Sequence, residues 1–173
     1  MIHLEKKLDC RVKSGNDRRK SNGDNKMADT APSLKLTYEG AAKLLAAAVA
    51  KARDMSVPQC ICIVDAGGHL LTMARMDGAF ALSFKTALRK AQTSAAYGIT
   101  TGGITPALEI KLAIGADGDR INLFGGLPVI VDGHVVGAIG VGSGTGEQDR
   151  EVAAAALAAI PGAKRFKPTP GPD

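Results

Sequence analysis

Apolar residues recur at helical spacing after Thr37, and this pattern predicts the first helix. Thr37 is suited to the N-cap position, and Glu39 favours the positive end of the helix dipole. Pro58 prevents the helix from continuing. The apolar stripe between these signals consists of Ala41, Leu44, Leu45, Ala48, Val49 and Ala52. One face of this helix is therefore predicted to pack on a core.

Two β-hairpins are predicted from apolar runs that flank short turns. The first pairs residues 59–64 with 69–74, and the second pairs 127–131 with 134–141. The second turn is Asp132-Gly133, a dipeptide suited to the left-handed dihedrals of a type I′ turn. Strands joined by tight turns are antiparallel, which excludes a doubly wound nucleotide-binding fold.

Three further helices complete the pattern, at residues 81–97, from 106 to about 113, and at 145–160. Gly98 is placed to end the first of them, and Pro106 to open the second. The order is helix, hairpin, helix, short helix, hairpin, helix. It predicts an α+β two-layer domain, with a central antiparallel sheet built from the hairpins and helices packed against it.

Composition divides the 173 residues into one domain with two extensions. Residues 1–33 are polar and basic and are predicted to be disordered, 34–162 form the folded domain, and 163–173 are a Pro/Gly-rich tail. Residues 1–26 hold eight basic and four acidic side chains, hence +4 of the net charge of +5. Met27 resembles a natural start, so these residues are either upstream sequence or a solvated tail. The remaining body is close to neutral, which argues against a nucleic-acid partner.

Several features predict a cytoplasmic protein. No apolar run reaches about 18 residues and no secretory signal opens the chain, so no membrane association is expected. Cys60 and Cys62 are neighbours on one predicted strand and are expected to be buried free thiols in a reducing compartment.

The second hairpin is glycine-rich at both ends, which predicts one wall of a small-molecule site. Gly125-Gly126 precedes it, and residues 142–147 lead from it into the last helix. Glycine there lets backbone approach a ligand or another backbone with no Cβ in the way. Ser143 lies within this segment. The end of the first hairpin, at Arg75 and Asp77, is the expected opposite wall.

Three side chains in this region have both a structural and a functional interpretation. Arg75 could clamp a carboxylate, or it could form an ion pair with Asp77 or Glu147. Thr145 fits a capping box with the residue three positions on, and also lies where a ligand could bind. Glu147 favours the helix dipole, but could instead be a general base or a hydrogen-bond acceptor.

The sequence predicts no metal site. Cys60 and Cys62 lack further zinc ligands. His69 and His134 each follow a tight turn, without a carboxylate or thiol at metal-ligand spacing. No histidine of the folded body lies on a predicted helix, so a helical axial ligand for heme is missing. Heme would need one of these histidines, a methionine such as Met73 or Met76, a tail residue, or no strong ligand.

Four segments together resemble the GlcG/HbpS-like family, whose relatives include heme-binding proteins and the C-terminal domain of PduO. They are IVDAGGHLLTMARMDGA at 63–79, Lys90-Ala91, GGLPVIVDGHVVGAIGV at 125–141, and GEQDREVA at 146–153. The resemblance covers about residues 37–160. It implies a fold related to profilin-like and PAS-like domains, a homo-oligomer, and a small-ligand site that holds heme in some members. Other members are tied to organic-acid or aromatic catabolism. It also implies that Lys90 faces the cleft.

Three functions are consistent with these observations. The first is a small-molecule-binding domain for heme or a carboxylated organic or aromatic compound. The second is an enzyme in the same cleft, with Glu147 as base, Arg75 as clamp and Lys90 as electrostatic partner. The third is a structural or accessory oligomeric subunit, whose glycines only permit close packing.

Overall fold

The computed structural model describes residue 29 and residues 31–169. The predicted extension at 1–33 lies almost entirely outside these residues. The elements are α1 Tyr38–Asp54, β1 Cys60–Asp65, β2 Leu70–Arg75, α2 Ser83–Tyr97, α3 Pro106–Gly115, β3 Gly126–Val131, β4 His134–Gly142 and α4 Gly146–Ala156, followed by a 3₁₀ turn at Leu157–Ala159. No helix in this part of the chain is long and apolar enough to cross a membrane.

The four strands form one antiparallel sheet in the order β2-β1-β4-β3. The two hairpins join through β1 and β4, where Cys60 lies opposite Gly142 and Ile63 opposite Ile139. At the turn of the second hairpin, φ is 49° at Asp132 and 79° at Gly133. Both values are positive, as a type I′ turn requires. The prediction of an α+β domain with a central antiparallel sheet is confirmed.

Helices cover both faces of this sheet. Ile61 and Ile63 lie in the core cluster formed with α1 and α4. The alternate residues Cys60 and Cys62 pack with Ala87 of α2 on the other face. The sheet is therefore the middle of three layers, where the sequence pattern had indicated two.

The two cysteines of β1 are buried free thiols, as predicted. Burial raises the pKa of the Cys62 thiol to about 12. The Cys60 and Cys62 Sγ atoms point toward the Phe80 and Phe84 carbonyl oxygens, at 3.6 and 4.0 Å. They serve as small apolar groups beneath α2.

The core on the other face rests on the apolar stripe of α1. Its fully buried members are Ala41, Leu44, Ala48 and Ala52. Thr37 caps this helix as expected, because its Oγ1 accepts a hydrogen bond from the Gly40 N–H at 3.1 Å.

The chain beyond α4 returns to this core. Ala163 forms a β-bridge with Val131 and is 7% exposed, and Phe166 packs against the cluster. The Lys167 carbonyl accepts a hydrogen bond from Arg150 Nε at 3.0 Å. The segment predicted to begin the tail thus contributes to the body up to residue 167.

Helix α2 determines where the functional region lies. It begins at Ser83, two residues later than predicted, and ends at Gly98 with a left-handed φ of 65°. It approaches the sheet closely, because Ala87 and Ala91 of α2 face Gly140 of β4. In the second half of α2, Ala91 and Ala95 pack against the sheet. At its middle, Lys90 contacts Val141 near the end of β4.

Candidate functional site

A cleft of ≈ 440 Å³ lies where the first half of α2 meets the segment before β3 and the turn before α4. This volume is within the range typical of small-molecule sites. The residues that line it are Phe80, Ser83, Thr86, Lys90, Asn122, Leu123, Phe124, Ser143, Gly144, Gly146 and Asp149. Three apolar side chains and six polar or charged ones therefore share the lining of the cleft.

An ion pair forms the floor of the cleft. Lys90 Nζ of α2 lies 2.7 Å from Asp149 Oδ2 of α4 and donates to the Val141 carbonyl at 2.8 Å. Both residues are 3% exposed. Burial raises the pKa of the Asp149 carboxyl, while the Lys90 ammonium acts in the opposite direction. The pair is a candidate functional group, because ionisable groups that burial and a charged partner perturb in a cleft are concentrated at functional sites.

The start of α4 places Asp149 at this floor. Thr145 Oγ1 accepts from the Gln148 N–H at 3.3 Å, and Gln148 Oε1 accepts from the Thr145 N–H at 2.9 Å. The predicted capping box is therefore present. One residue later, Asp149 Oδ1 accepts from the Gly144 N–H at 2.9 Å. The same short segment fixes the helix start and the carboxylate.

Ser143 holds one side of the cleft in a strained backbone conformation. Its φ is 98°, in a region that residues other than glycine rarely adopt. Its Oγ accepts a hydrogen bond from the Phe80 N–H at 2.9 Å. Strain of this kind is concentrated at ligand sites.

The opposite side is fixed by the segment that leads into β3. The Asn122 side chain accepts from the Ile104 N–H and donates to the Ile104 carbonyl, at 3.1 and 2.9 Å. Phe124 packs against Gly102 and Gly146, where added Cβ atoms would strike its side chain. The Leu123 carbonyl between them accepts a hydrogen bond from Thr101 Oγ1 at 2.6 Å, so three consecutive residues are anchored to the loop after α2.

The structure brings together only some of the residues predicted for the site. Lys90 and Ser143 line the cleft. Gly125 and Gly126 are buried beside Lys90. A Cβ on Gly125 would lie 3.3 Å from Lys90 Nζ, and a Cβ on Gly126 would lie 2.5 Å from the Lys90 carbonyl oxygen. These two glycines therefore allow α2 to approach the sheet.

The other predicted residues lie elsewhere. Arg75 and Asp77 line a separate cavity of ≈ 380 Å³ beside Arg53 at the end of α1. Thr145 and Glu147 are exposed in the first turn of α4 and are not among the lining residues.

Sequence reasoning missed Asp149 and the aromatic walls, Phe80 and Phe124. A signal for Asp149 was present, because it continues the buried stripe of α4 formed by Val152, Ala153 and Ala156. A carboxylate in line with an apolar stripe indicates a buried charge. The aromatic residues lie in loops, where the pattern along the chain does not indicate which way a side chain points.

No histidine, cysteine, methionine or tyrosine is among the described residues that line the cleft. His69 is exposed, with Nδ1 3.2 Å from Asp65 Oδ1 across the first turn. His134 is exposed at the start of β4. Within residues 31–169, no group of three or more His, Cys, Asp or Glu side chains is arranged to hold a metal ion.

Another cavity, of ≈ 380 Å³, lies between the first hairpin turn and the loop after α3. Arg89 in this cavity pairs with Asp119, and the Arg120 guanidinium lies 4.0 Å from the Tyr97 ring centre. The cleft at Lys90 is the better candidate, because its ion pair is buried and its walls are aromatic.

Comparison with known proteins decides the family. The family model described as "Haem degrading protein HbpS-like" matches residues 36–158. The chain belongs to the HbpS-like family. The resemblance found in the sequence is therefore confirmed, and the match spans all the elements of the described domain except its C-terminal end.

Three similar proteins illustrate the comparison. A 15.0 kDa protein of Citrobacter freundii, from the dhaT-dhaS intergenic region, is 42% identical over 127 residues, or 70% of this chain and 89% of the relative. The crystal structure of ORFY from Klebsiella pneumoniae has a TM-score of 0.73 and 34% identity, covering 77% of this chain and 95% of that one. A crystal structure of a PduOC:heme complex has a TM-score of 0.71 and 29% identity, covering 78% and 100%.

Proposed function

We propose that this HbpS-like protein binds a flat small molecule in the cleft above Lys90 and Asp149, with heme as the first candidate. The observation that carries the proposal is a cavity of ≈ 440 Å³ with Phe80, Leu123 and Phe124 in its walls and a buried ion pair at its floor. The similarity to PduOC in its complex with heme supports heme as the candidate ligand. Another carboxylated organic or aromatic compound is the alternative ligand.

The cleft fits a flat ring better than it fits iron. Its aromatic walls can contact a porphyrin face. Its described lining offers no histidine, cysteine, methionine or tyrosine as an axial ligand, and Lys90 is already paired with Asp149. The ring would therefore be held by apolar contacts. We expect metal-free protoporphyrin IX to bind about as tightly as hemin.

Replacing Phe80 by alanine is expected to weaken hemin binding. Phe80 lines the cleft yet is 70% exposed, so its removal should leave the fold intact. An aromatic contact is worth about 1 kcal/mol beyond its buried area, so the Kd should rise roughly five- to tenfold. Absorbance titration with hemin, and fluorescence titration with protoporphyrin IX, measure this change.

Leu82→Ala is the matched control, because Leu82 is 73% exposed two residues away and does not line the cleft. Its Kd should match that of the unmodified protein. Arg75→Ala tests the separate cavity beside Arg53. If Arg75→Ala weakened binding and Phe80→Ala did not, the ligand would belong to that cavity and the proposal would be wrong.

Turnover in the same cleft is the alternative function. The notion of Glu147 as general base has little geometric support, since this side chain is exposed in the first turn of α4. Asp149 is the acidic group that lines the cleft. Binding is therefore the better supported function. Two buried free thiols also favour a reducing compartment, and we propose the cytoplasm.

We also propose that the chain forms a homo-oligomer through α3. None of the residues of α3 is buried. Its two isoleucines, Ile110 and Ile114, are 68% and 72% exposed although their side chains are apolar. Such exposed apolar groups mark association surfaces. Ile110→Asp with Ile114→Asp should lower the mass measured by light scattering to that of a monomer, while the circular dichroism stays unchanged. A monomeric unmodified protein would contradict this proposal.

A further inference from the structure

The floor of the cleft carries no net charge. Lys90 contributes one positive charge and Asp149 one negative charge, and no other charged side chain among the described residues lines the cavity. A carboxylate that approached Lys90 would meet Asp149 at the same time, because the two groups are 2.7 Å apart. Burial strengthens that repulsion, since few water molecules remain to screen it.

The pair nevertheless has unused hydrogen-bond capacity. A lysine ammonium has three N–H donors. Two of them are engaged, by the Val141 carbonyl at 2.8 Å and by Asp149 Oδ2 at 2.7 Å. Asp149 Oδ1 accepts one described hydrogen bond, from Gly144, and each carboxylate oxygen can accept two. The floor therefore presents a donor and an acceptor side by side.

A buried amide lies behind this pair. Gln59 is fully buried and is not among the described residues that line the cleft. A Cβ on Gly144 would lie 2.6 Å from Gln59 Nε2 and 3.0 Å from Asp149 Oδ1. The Gln59 side chain opposes the burial-induced rise in the pKa of the Asp149 carboxyl and so helps to keep the pair charged.

We propose that this floor, made of Lys90 and Asp149, recognises an uncharged group in which an acceptor adjoins a donor, such as a primary amide, on a flat apolar body. The carbonyl accepts from Lys90 and the N–H donates to Asp149. A carboxylate can only accept, and its charge is repelled by Asp149. The inference rests on the proposed role of the cleft, and carboxylates such as those of heme would remain at its rim.

Three probes of nearly equal shape separate these possibilities. Benzamide carries an acceptor and a donor, benzoate two acceptors and a charge, and acetophenone one acceptor. Their Kd values are measured from the backbone amide chemical shifts of Phe124, Ser143 and Gly144 in the isotope-labelled full chain. Benzamide should bind roughly tenfold more tightly than benzoate and several-fold more tightly than acetophenone.

A double variant removes the charges without leaving one unpaired. Lys90→Met with Asp149→Asn keeps similar side-chain volumes, and the asparagine can still accept from Gly144. The preference for benzamide over benzoate should fall to about threefold or less. Lys85→Met with Glu147→Gln makes the same charge changes at exposed positions of the same helices and should leave the preference unchanged.

Two results would overturn the inference. One is tighter or equal binding of benzoate, and the other is no shift of the cleft amides with any probe. The proposed function is tested separately, because porphyrin binding that depends on Phe80 would survive either result. Loss of porphyrin binding with a retained benzamide preference would instead remove heme and keep the recognition site.

Discussion

Gly140→Ala is expected to separate α2 from the sheet. A Cβ at residue 140 would overlap the Ala87 carbonyl oxygen and lie 2.6 Å from the Ala91 nitrogen. Both obstacles are helix backbone, which cannot rotate out of the way as a side chain can. Overpacking of this kind costs about 3 kcal/mol or more when the neighbours cannot relax. For a domain of this size that corresponds to a fall in Tm of roughly 6 to 12 °C.

Thermal unfolding followed by circular dichroism measures this effect. Gly115→Ala is the control, because residue 115 ends α3, has no heavy atom within 4 Å of a new Cβ and has no positive φ. Its free energy of unfolding should stay within about 0.5 kcal/mol of the unmodified protein. Equal Tm values for the two variants would mean that α2 does not pack on β4 as described.

Breaking the Lys90–Asp149 pair is the second large effect. Asp149→Asn leaves the Lys90 ammonium buried without its partner, which costs about 3–5 kcal/mol. Lys90→Met leaves the carboxylate unpaired at a similar cost. The double variant buries no unpaired charge, so it should be more stable than either single variant. The coupling energy of the double-mutant cycle should reach at least about 2 kcal/mol.

Urea unfolding of the four proteins gives the coupling energy. The control cycle uses the Lys51–Glu151 pair, whose atoms are 2.7 Å apart but whose side chains are 30% and 42% exposed. Exposed pairs contribute about 1 kcal/mol or less. Additive effects at Lys90 and Asp149 would show that the two groups are not paired in the folded protein.

Local sequence signals were sufficient for most of the fold. The stripe of α1 and the Asp132-Gly133 turn each depend on neighbours along the chain, and both predictions are confirmed. The helical layer on the second face of the sheet was not predicted, although residues 60–64 form an unbroken apolar run. Such a run is typical of a strand covered on both faces. From the sequence, one helical layer was expected.

The site was less predictable, because it depends on which chain segments meet. Arg75 and Ser143 both lie at strand ends, but Arg75 ends the edge strand β2 and lines the separate cavity beside Arg53. Glu147 and Asp149 differ by two helix positions, so they point in different directions. Lys90 was identified through the family resemblance, and only the packing of α2 shows that it meets Asp149.

The most direct test of the central claim is a map of paramagnetic line broadening by hemin. Ferric iron broadens the NMR signals of nearby amides, so substoichiometric hemin locates the bound ring on the unmodified chain. The account predicts that Thr86, Phe124, Ser143, Gly144 and Gly146 broaden first, because they line the cleft. Broadening centred on Arg75 and Met76, or on His69, with the cleft signals unchanged, would contradict it.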